Sequence, residues 1–248
     1  MRALILAAGI GQRLGVVSAE RPKCLLEFAG RSLLERHMDI LADCGIDGVI
    51  LAVGYQADLL QQTIDALDTP LDIRTRVNPD YTEGSVVSLW TLREELRAGE
   101  DVLLMDADVL YDARMIERLC ATGKENCLLL DRQFEAGDEP VKVCIRAGRL
   151  VEFRKQLAPD LVYDFAGESV GFFRIGADMA ARLANACQDY LDLGLRETPY
   201  EEVIRDQILA RPEAFGYEDI SGIPWLEIDF PEDIQRAEQE ILPQISSQ

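Results

Sequence analysis

The chain reads as an α/β protein: a mostly parallel, mixed sheet with helices on both faces and a small β-rich lobe. Three observations predict this. Over roughly the first 110 residues, runs of β-branched and aliphatic residues alternate with segments of helical spacing, the order that builds parallel sheets. Those apolar runs are nearly continuous, as in strands covered on both faces. After about residue 125 the segments become short strands, two of them joined by a hairpin-like link.

Each element has its own local signal. Ala3–Ala7 is a short apolar strand, followed by the glycine-bearing loop Ala8-Gly9-Ile10-Gly11-Gln12-Arg13-Leu14 and an irregular stretch to Pro22-Lys23. Ser32 with Glu35 three residues on forms a capping box for a helix over Leu33–Asp43, and Gly45 stops it. Gly48–Val53 is a second buried strand. Gln56–Leu67 carries Leu59, Leu60, Ile64 and Leu67 at helical spacing, and Asp72–Val77 is a third strand. A helix over Gly84–Ala98 and a strand over Asp101–Met105 complete the first half. Beyond residue 125 the expected strands are Cys127–Asp131, Val141–Ile145, Leu150–Arg154 and Glu168–Ile175. Arg146-Ala147-Gly148-Arg149 links the middle pair, and residues 158–166 are read as a rim. Helices follow at Ala177–Leu191 and Tyr200–Leu209, then short strands at Ala214–Asp219 and Trp225–Ile228, and an amphipathic helix at Pro231–Ile241. There is no internal repeat and no low-complexity linker, so residues 1–248 are expected to form one domain whose halves meet near residue 125.

Charge narrows the function. With 25 Lys and Arg against 45 Asp and Glu, the net charge is −20. Nucleic acid and anionic membrane surfaces need a basic footprint, so both are excluded as partners. Any anionic substrate must instead meet local cations or a metal. The six cysteines lie far apart without a C-x-x-C pair, which fits reduced thiols in a cytoplasmic protein. No secretory leader and no apolar membrane span is read. A single histidine, His37, sits in an expected helix and leaves little basis for His-centred chemistry.

The opening loop carries the chemistry. Its glycines allow backbone N–H groups to approach a bound anion closely. Arg13 adds a guanidinium fork suited to phosphate oxygens, and Lys23 an ammonium on a backbone stiffened by Pro22. It is not a Walker A loop, because no Gly-Lys-Ser/Thr closes it. It is a poor dinucleotide fingerprint, because Leu14 stands at the third glycine position. A nicotinamide-dependent oxidoreductase is therefore disfavoured. Further on, Asp106 and Asp108 follow an apolar strand, where a parallel sheet places its ligands. Mg²⁺ on a triphosphate needs only one or two protein carboxylates, so Asp108 reads as a metal ligand. Asp106 reads as a second ligand or as a hydrogen-bonding support for the loop.

Leu6-Ala7-Ala8-Gly9, Gly11, Arg13-Leu14, Pro22-Lys23, Leu25-Leu26 and Gly30 together resemble the signature of the nucleotidyltransferase superfamily. Its members are Rossmann-like pyrophosphorylases that join a nucleoside triphosphate to a phosphorylated small molecule. The resemblance implies that Arg13 and Lys23 are catalytic. It also places the nucleotide against Leu6, Ala7, Ala8, Gly9, Gly11, Arg13, Lys23 and Asp106, with Gly84 and Ser85 reading the base. The stretch Glu227 to Asp233 resembles the pattern that joins the earlier Asp in holding metal, which assigns Mg²⁺ to Asp108 and Asp229. The acceptor side falls to Lys142, Lys155, Glu168 and Ser88. Ser88-Leu89, Gly137-Asp138-Glu139 and Gly167 to Gly171 resemble segments of the phosphocholine, 2-aminoethylphosphonate and inositol-phosphate cytidylyltransferases. The function implied is a cytidylyltransferase using CTP, with phosphocholine or 2-aminoethylphosphonate favoured as acceptor and inositol 1-phosphate next. The alternatives are a sugar-1-phosphate nucleotidyltransferase using another triphosphate and a nucleotide-binding regulatory protein without catalysis. Oligomeric state is left open, a homodimer among the options.

Overall fold

The computed structural model describes residues 1–15, 21–135 and 137–245. Most of the irregular stretch between Leu14 and Pro22 lies outside these described residues. Strand β1 (Arg2–Ala7) is central and pairs in parallel with β4 (Gly48–Val53) on one side and β6 (Val102–Asp106) on the other. β5 (Asp72–Val77) extends the parallel run beyond β4. The short hairpin β2–β3 (Glu27–Phe28 and Arg31–Ser32) precedes helix α1 (Leu33–Asp43).

The mixed part of the sheet is organised by one long strand, β11 (Phe165–Ile175). Its first half pairs antiparallel with β9 (Lys142–Arg146), which forms a hairpin with β10 (Arg149–Arg154). Its second half pairs antiparallel with β6, and its other edge with β8 (Asn126–Asp131), which in turn pairs in parallel with β12 (Phe215–Asp219). The result is a nine-stranded sheet among the described residues. β11 thus ties the second half to the first through a continuous ladder. A bulge between Ser169 and Phe173 bends it beside the end of β6.

Alternating side chains of β1 and β4 feed two cores. Ala3, Ile5, Ala7, Val49, Leu51 and Val53 face α1 (Leu33–Asp43), α2 (Ala57–Ala66) and α5 (Arg114–Ala121). Leu4, Ile50 and Ala52 face α3 (Ser85–Thr91), α4 (Arg93–Leu96), α6 (Ala177–Asp192) and α7 (Tyr200–Ala210). Each fully buried aliphatic side chain contributes about 2 kcal/mol, so both helical layers are held mainly by burial. A third cluster joins Leu14, Leu26, Phe28 and Leu33 to Leu110, Ile228 and Ala237. It pins the far end of the glycine loop to the C-terminal segment.

The capping box at Ser32 is present: its Oγ accepts from Glu35 N at 3.2 Å, and its N–H donates to Glu35 Oε2 at 2.7 Å. Three readings need correction. The helix expected over Gly84–Ala98 breaks at Leu92, whose N–H turns to Leu89 O, while the Thr91 hydroxyl back-bonds Val87 O and distorts the turn. Strand β7 (Val109–Tyr111) and helix α5 were not anticipated between residues 106 and 125. The terminal helix is α-helical only as α8 (Pro231–Arg236), then widens over Ala237–Ile241. Among the described residues, no helix is long and apolar enough to cross a membrane.

Candidate active site

The C-terminal ends of β1 and β6 open onto a cavity of about 400 Å³. Gly11 has φ +67, and this left-handed turn leads into the single helical turn Gln12–Leu14. Burial of Leu14 then fixes Arg13 beside the cavity. Leu6, Ala7, Ala8, Gly9, Gly11, Arg13, Lys23, Ser85, Asp106 and Asp108 all line this space. These loop residues, the two cations and the two carboxylates therefore share one cavity wall.

Three carboxylates gather from distant parts of the chain. β7 pairs with β13 (Trp225–Glu227), which sets Glu227 opposite Val109, one residue past Asp108. Ile228 N donates to Asp108 O at 2.9 Å and locks that register. Asp233 Oδ2 accepts from the N–H groups of Asp229 and Phe230 at 3.0 and 2.7 Å, and so aims Asp229 back at Asp108. One oxygen each from Asp108, Glu227 and Asp229 lies within 4.8 Å of the others, a hard-oxygen set suited to a divalent cation. Glu227, which the sequence reading quoted but did not assign, completes the set.

Lys23 bridges the cluster. Its Nζ donates to Asp108 Oδ2 at 2.8 Å and Asp229 Oδ1 at 2.5 Å. Burial alone would lower its pKa, but Asp108 and Asp229 outweigh that and hold the ammonium protonated well above the usual range. Arg13 Nη1 donates to Asp229 Oδ2 at 3.1 Å and Glu139 Oε2 at 2.9 Å, and its guanidinium lies 5.5 Å from the Phe230 ring centre. Asp229 is pulled below the ordinary carboxylate range: burial opposes this, and Lys23 and Arg13 overcome it. Glu227 is exposed at the cavity mouth, and loss of hydration there together with the neighbouring charges of Asp108 and Asp229 pushes its carboxyl up.

Asp106 is held by α7. Its Oδ2 accepts from Tyr200 Oη at 2.7 Å. Burial, then Asp108, Glu201 and Glu227, raise its pKa well above normal. Gly171, with φ +80, gives it room: a Cβ there would lie 2.0 Å from Asp106 Oδ2. A smaller cavity of about 90 Å³ continues past Asp106, Tyr200 and Glu201 to Lys155 and Glu168. Lys155 Nζ donates to Glu139 Oε2 at 3.3 Å. Burial and the neighbouring Asp131 carry the Glu168 carboxyl up to about 7. Glu201 Oε2 is buried with no hydrogen-bond partner, and burial raises its pKa.

Three expected positions are engaged by other parts of the chain. Gly84 packs closely against residues 196–198: a Cβ would sit 2.4 Å from Glu197 C, and its N–H donates to Arg196 O at 2.9 Å. Lys142 is turned away from the acceptor side. Its Nζ donates to the carbonyls of Gly137 (2.6 Å), Lys155 (2.7 Å) and Pro140 (3.4 Å), bracing the wall. Ser88 accepts from Asn78 Nδ2 at 3.1 Å and lines the larger cavity with Ser85, not the smaller one with Lys155. Ser85 Oγ also accepts from Tyr200 N at 2.9 Å, which couples the Gly84 loop to α7. Tyr200 and Glu201 went unassigned in the sequence, since a Tyr-Glu pair opening a helix after Pro199 resembles ordinary capping.

Fold and site layout are those of a nucleotidyltransferase. Residues 3–164 match the MobA-like NTP transferase domain, and the chain belongs to that family. A CMP-5'-(3-aminopropyl)phosphonate synthase from Streptomyces rubellomurinus is 29% identical over 248 residues, covering 98% of this chain and 39% of that protein. A bifunctional IPC transferase and DIPP synthase from Rubrobacter xylanophilus is 28% identical over 243 residues, covering 97% of this chain and 52% of that protein. The chain therefore spans about half or less of these curated relatives. Among solved structures, CTP:phosphocholine cytidylyltransferase from Streptococcus pneumoniae superposes with a TM-score of 0.75 at 19% identity, over 96% of this chain and 97% of its own. The inositol-1-phosphate CTP transferase from T. maritima gives 0.76 at 19% identity, over 99% of this chain and 98% of its own. At that identity the likeness speaks for the fold.

Proposed function

We propose that the chain is a CTP-dependent cytidylyltransferase that joins CMP to a small phosphate or phosphonate bearing a cationic amine, with release of pyrophosphate. The observation that carries the reading is Lys23 held between Asp108 and Asp229 on the wall of the cavity that the glycine loop closes. The relatives named for CMP-phosphonate synthesis and CTP-dependent transfer support cytosine as the base.

An acceptor oxygen attacks the α-phosphorus in line, and the bond from that phosphorus to the bridging oxygen of pyrophosphate breaks. The attacking oxygen is already anionic, so no general base is needed, in keeping with a chain whose one histidine lies outside the cavity. Arg13 and the backbone of Gly9 to Gly11 hold the phosphates of CTP. Lys23 places its ammonium on the α-phosphate and leaving group, where charge builds up. Asp108, Glu227 and Asp229 would hold Mg²⁺, which when bound lowers the repulsion between two anionic substrates. Lys155 faces the acceptor phosphate. Glu201, unpartnered at Oε2, and Glu168 face the far end of the acceptor, where they favour an ammonium. Phosphocholine and 2-aminoethylphosphonate therefore rank ahead of inositol 1-phosphate.

The test is pyrophosphate release with Mg²⁺, crossing CTP, UTP, GTP and ATP against those three acceptors and glucose 1-phosphate. Turnover confined to CTP with an aminated acceptor is expected. Turnover with glucose 1-phosphate would move the reading to sugar-nucleotide synthesis. Lys23→Ala should cut turnover about a hundredfold or more while leaving the fold intact; near-normal turnover would remove Lys23 from the mechanism.

A further inference from the structure

A second cavity, of about 410 Å³, opens between the C-terminal end of α1 and α5, on the helical layer behind the site. Its walls include Cys44, which caps α1, and Cys120 near the end of α5. On that shared wall the two thiols lie near enough to perturb each other. They are also the two partly exposed cysteines of the six; Cys24, Cys127, Cys144 and Cys187 are all buried. The facing pair is thus the one that a small reagent can reach. Asp43 and Glu117 share the cavity, but the one three-donor group found among the described residues is Asp108, Glu227 and Asp229. The chemistry left to the pair is between the sulfurs.

We propose that Cys44 and Cys120 are a reversible modification site, at which a low-molecular-weight disulfide is reduced and an intramolecular protein disulfide forms. The Cys120 thiolate attacks one sulfur of the small disulfide. That S–S bond breaks, and the first small thiolate leaves and takes up a proton. Cys44, after releasing its own proton to solvent, attacks Cys120 Sγ and expels the second small thiolate. Two protein thiols become one disulfide, and one small disulfide becomes two thiols. Cys120 is the attacking group because the neighbouring Cys44 thiol, with Arg174 nearby, favours its thiolate. Pairing with Cys120 and burial push Cys44 up; the first exchange removes the Cys120 thiolate, which frees Cys44 to lose its proton and resolve the mixed disulfide.

The bond would staple α1 to α5. Helix α1 also carries His37, whose ring nitrogens contact Tyr111 Oη and the Ala107 carbonyl, both at 3.1 Å. The staple therefore fastens the elements behind the Asp106–Asp108 turn.

The experiment treats the full native chain with oxidised glutathione, alkylates the remaining thiols and maps peptides without reduction. The expected result is a Cys44–Cys120 linkage within one chain, loss of two of the six titratable thiols, and full recovery with dithiothreitol. Cys44→Ser should stop at a glutathione adduct on Cys120, and Cys120→Ser should carry none. Retention of all six thiols in the wild type, linkage between chains, or a linkage to any other cysteine overturns the proposal. The wild-type map decides this even where a variant fails to fold.

Discussion

His37 makes a quantitative case for coupling between packing and protonation. It is fully buried, and its Nε2–H donates to the Ala107 carbonyl while Nδ1 accepts from Tyr111 Oη, both at 3.1 Å. A carbonyl only accepts, so the network fixes the neutral tautomer. Burial lowers the pKa from an ordinary 6.5 to about 4 despite the hydrogen bond to Ala107 and the nearness of Asp108. The folded form thus binds this proton less readily than the unfolded chain. Above pH 6.5 both states are neutral at this residue, and no penalty exists. As the pH falls toward 4 the unfolded state takes up a proton that the folded state refuses, and stability drops. At roughly 1.4 kcal/mol for each pH unit, the full loss is about 3 kcal/mol. Urea unfolding of the wild type and of His37→Gln across that range measures it, with the slope m held as a check on two-state behaviour. The wild type should lose about 3 kcal/mol more than the variant on acidification. Parallel curves would show that His37 is not the group that refuses the proton, and the assigned tautomer would fall with it.

Other perturbations probe the site directly. Gly171→Ala places a Cβ against Asp106 Oδ2 at a φ of +80, so it should cost about 1–3 kcal/mol in the urea midpoint and lower turnover by displacing Asp106 from Tyr200. Glu227→Gln should raise the Mg²⁺ concentration for half-maximal turnover by at least about tenfold, as even outer-shell changes do at metal sites; an unchanged metal titration would remove Glu227 from the ligand set. Glu168 titrates near 7, so the KM for an aminated acceptor should rise as the pH falls through that value, when the carboxyl becomes neutral. Glu168→Gln should have a high, flat KM over the same range, and a persistent pH dependence in that variant would assign the titration to another group.

The sequence was legible where structure is local. The glycine loop, Pro22-Lys23 and the Ser32–Glu35 capping box depend on neighbours within a few residues, and all three stand where they were read. β7 was missed because three residues, Val109–Tyr111, become a strand only by pairing with Trp225–Glu227, more than a hundred positions away. The break at Leu92 lacks a Gly or Pro and arises from a side-chain hydrogen bond. Lys142 and Lys155 look alike as lysines near strand ends, yet one is taken up by three backbone carbonyls and the other faces Glu139. Gly84 and Ser85 were read as a pair facing a base, and their packing against residues 196–200 of the same chain was not foreseen. Contacts of that kind have no counterpart in local spacing.

The charges in the site bear on how the proposed reaction proceeds. Every cation that reaches the cavities is already matched: Arg13 by Glu139 and Asp229, Lys23 by Asp108 and Asp229, and Lys155 by Glu139. A triphosphate that draws Arg13 and Lys23 onto its oxygens therefore takes them from carboxylates. Those carboxylates would be left with excess negative charge beside one another, on a chain whose net charge is already −20. Two positive charges can restore the balance, one arriving with the nucleotide at Asp108, Glu227 and Asp229, the other with the acceptor beside Glu201 and Glu168. The second charge separates aminated acceptors from polyols, because a hydroxyl can satisfy the hydrogen bond that Glu201 Oε2 lacks but cannot neutralise it. On this argument, acceptor selectivity lies in the charge balance of the whole ternary complex, with Glu201 as the residue through which it is felt.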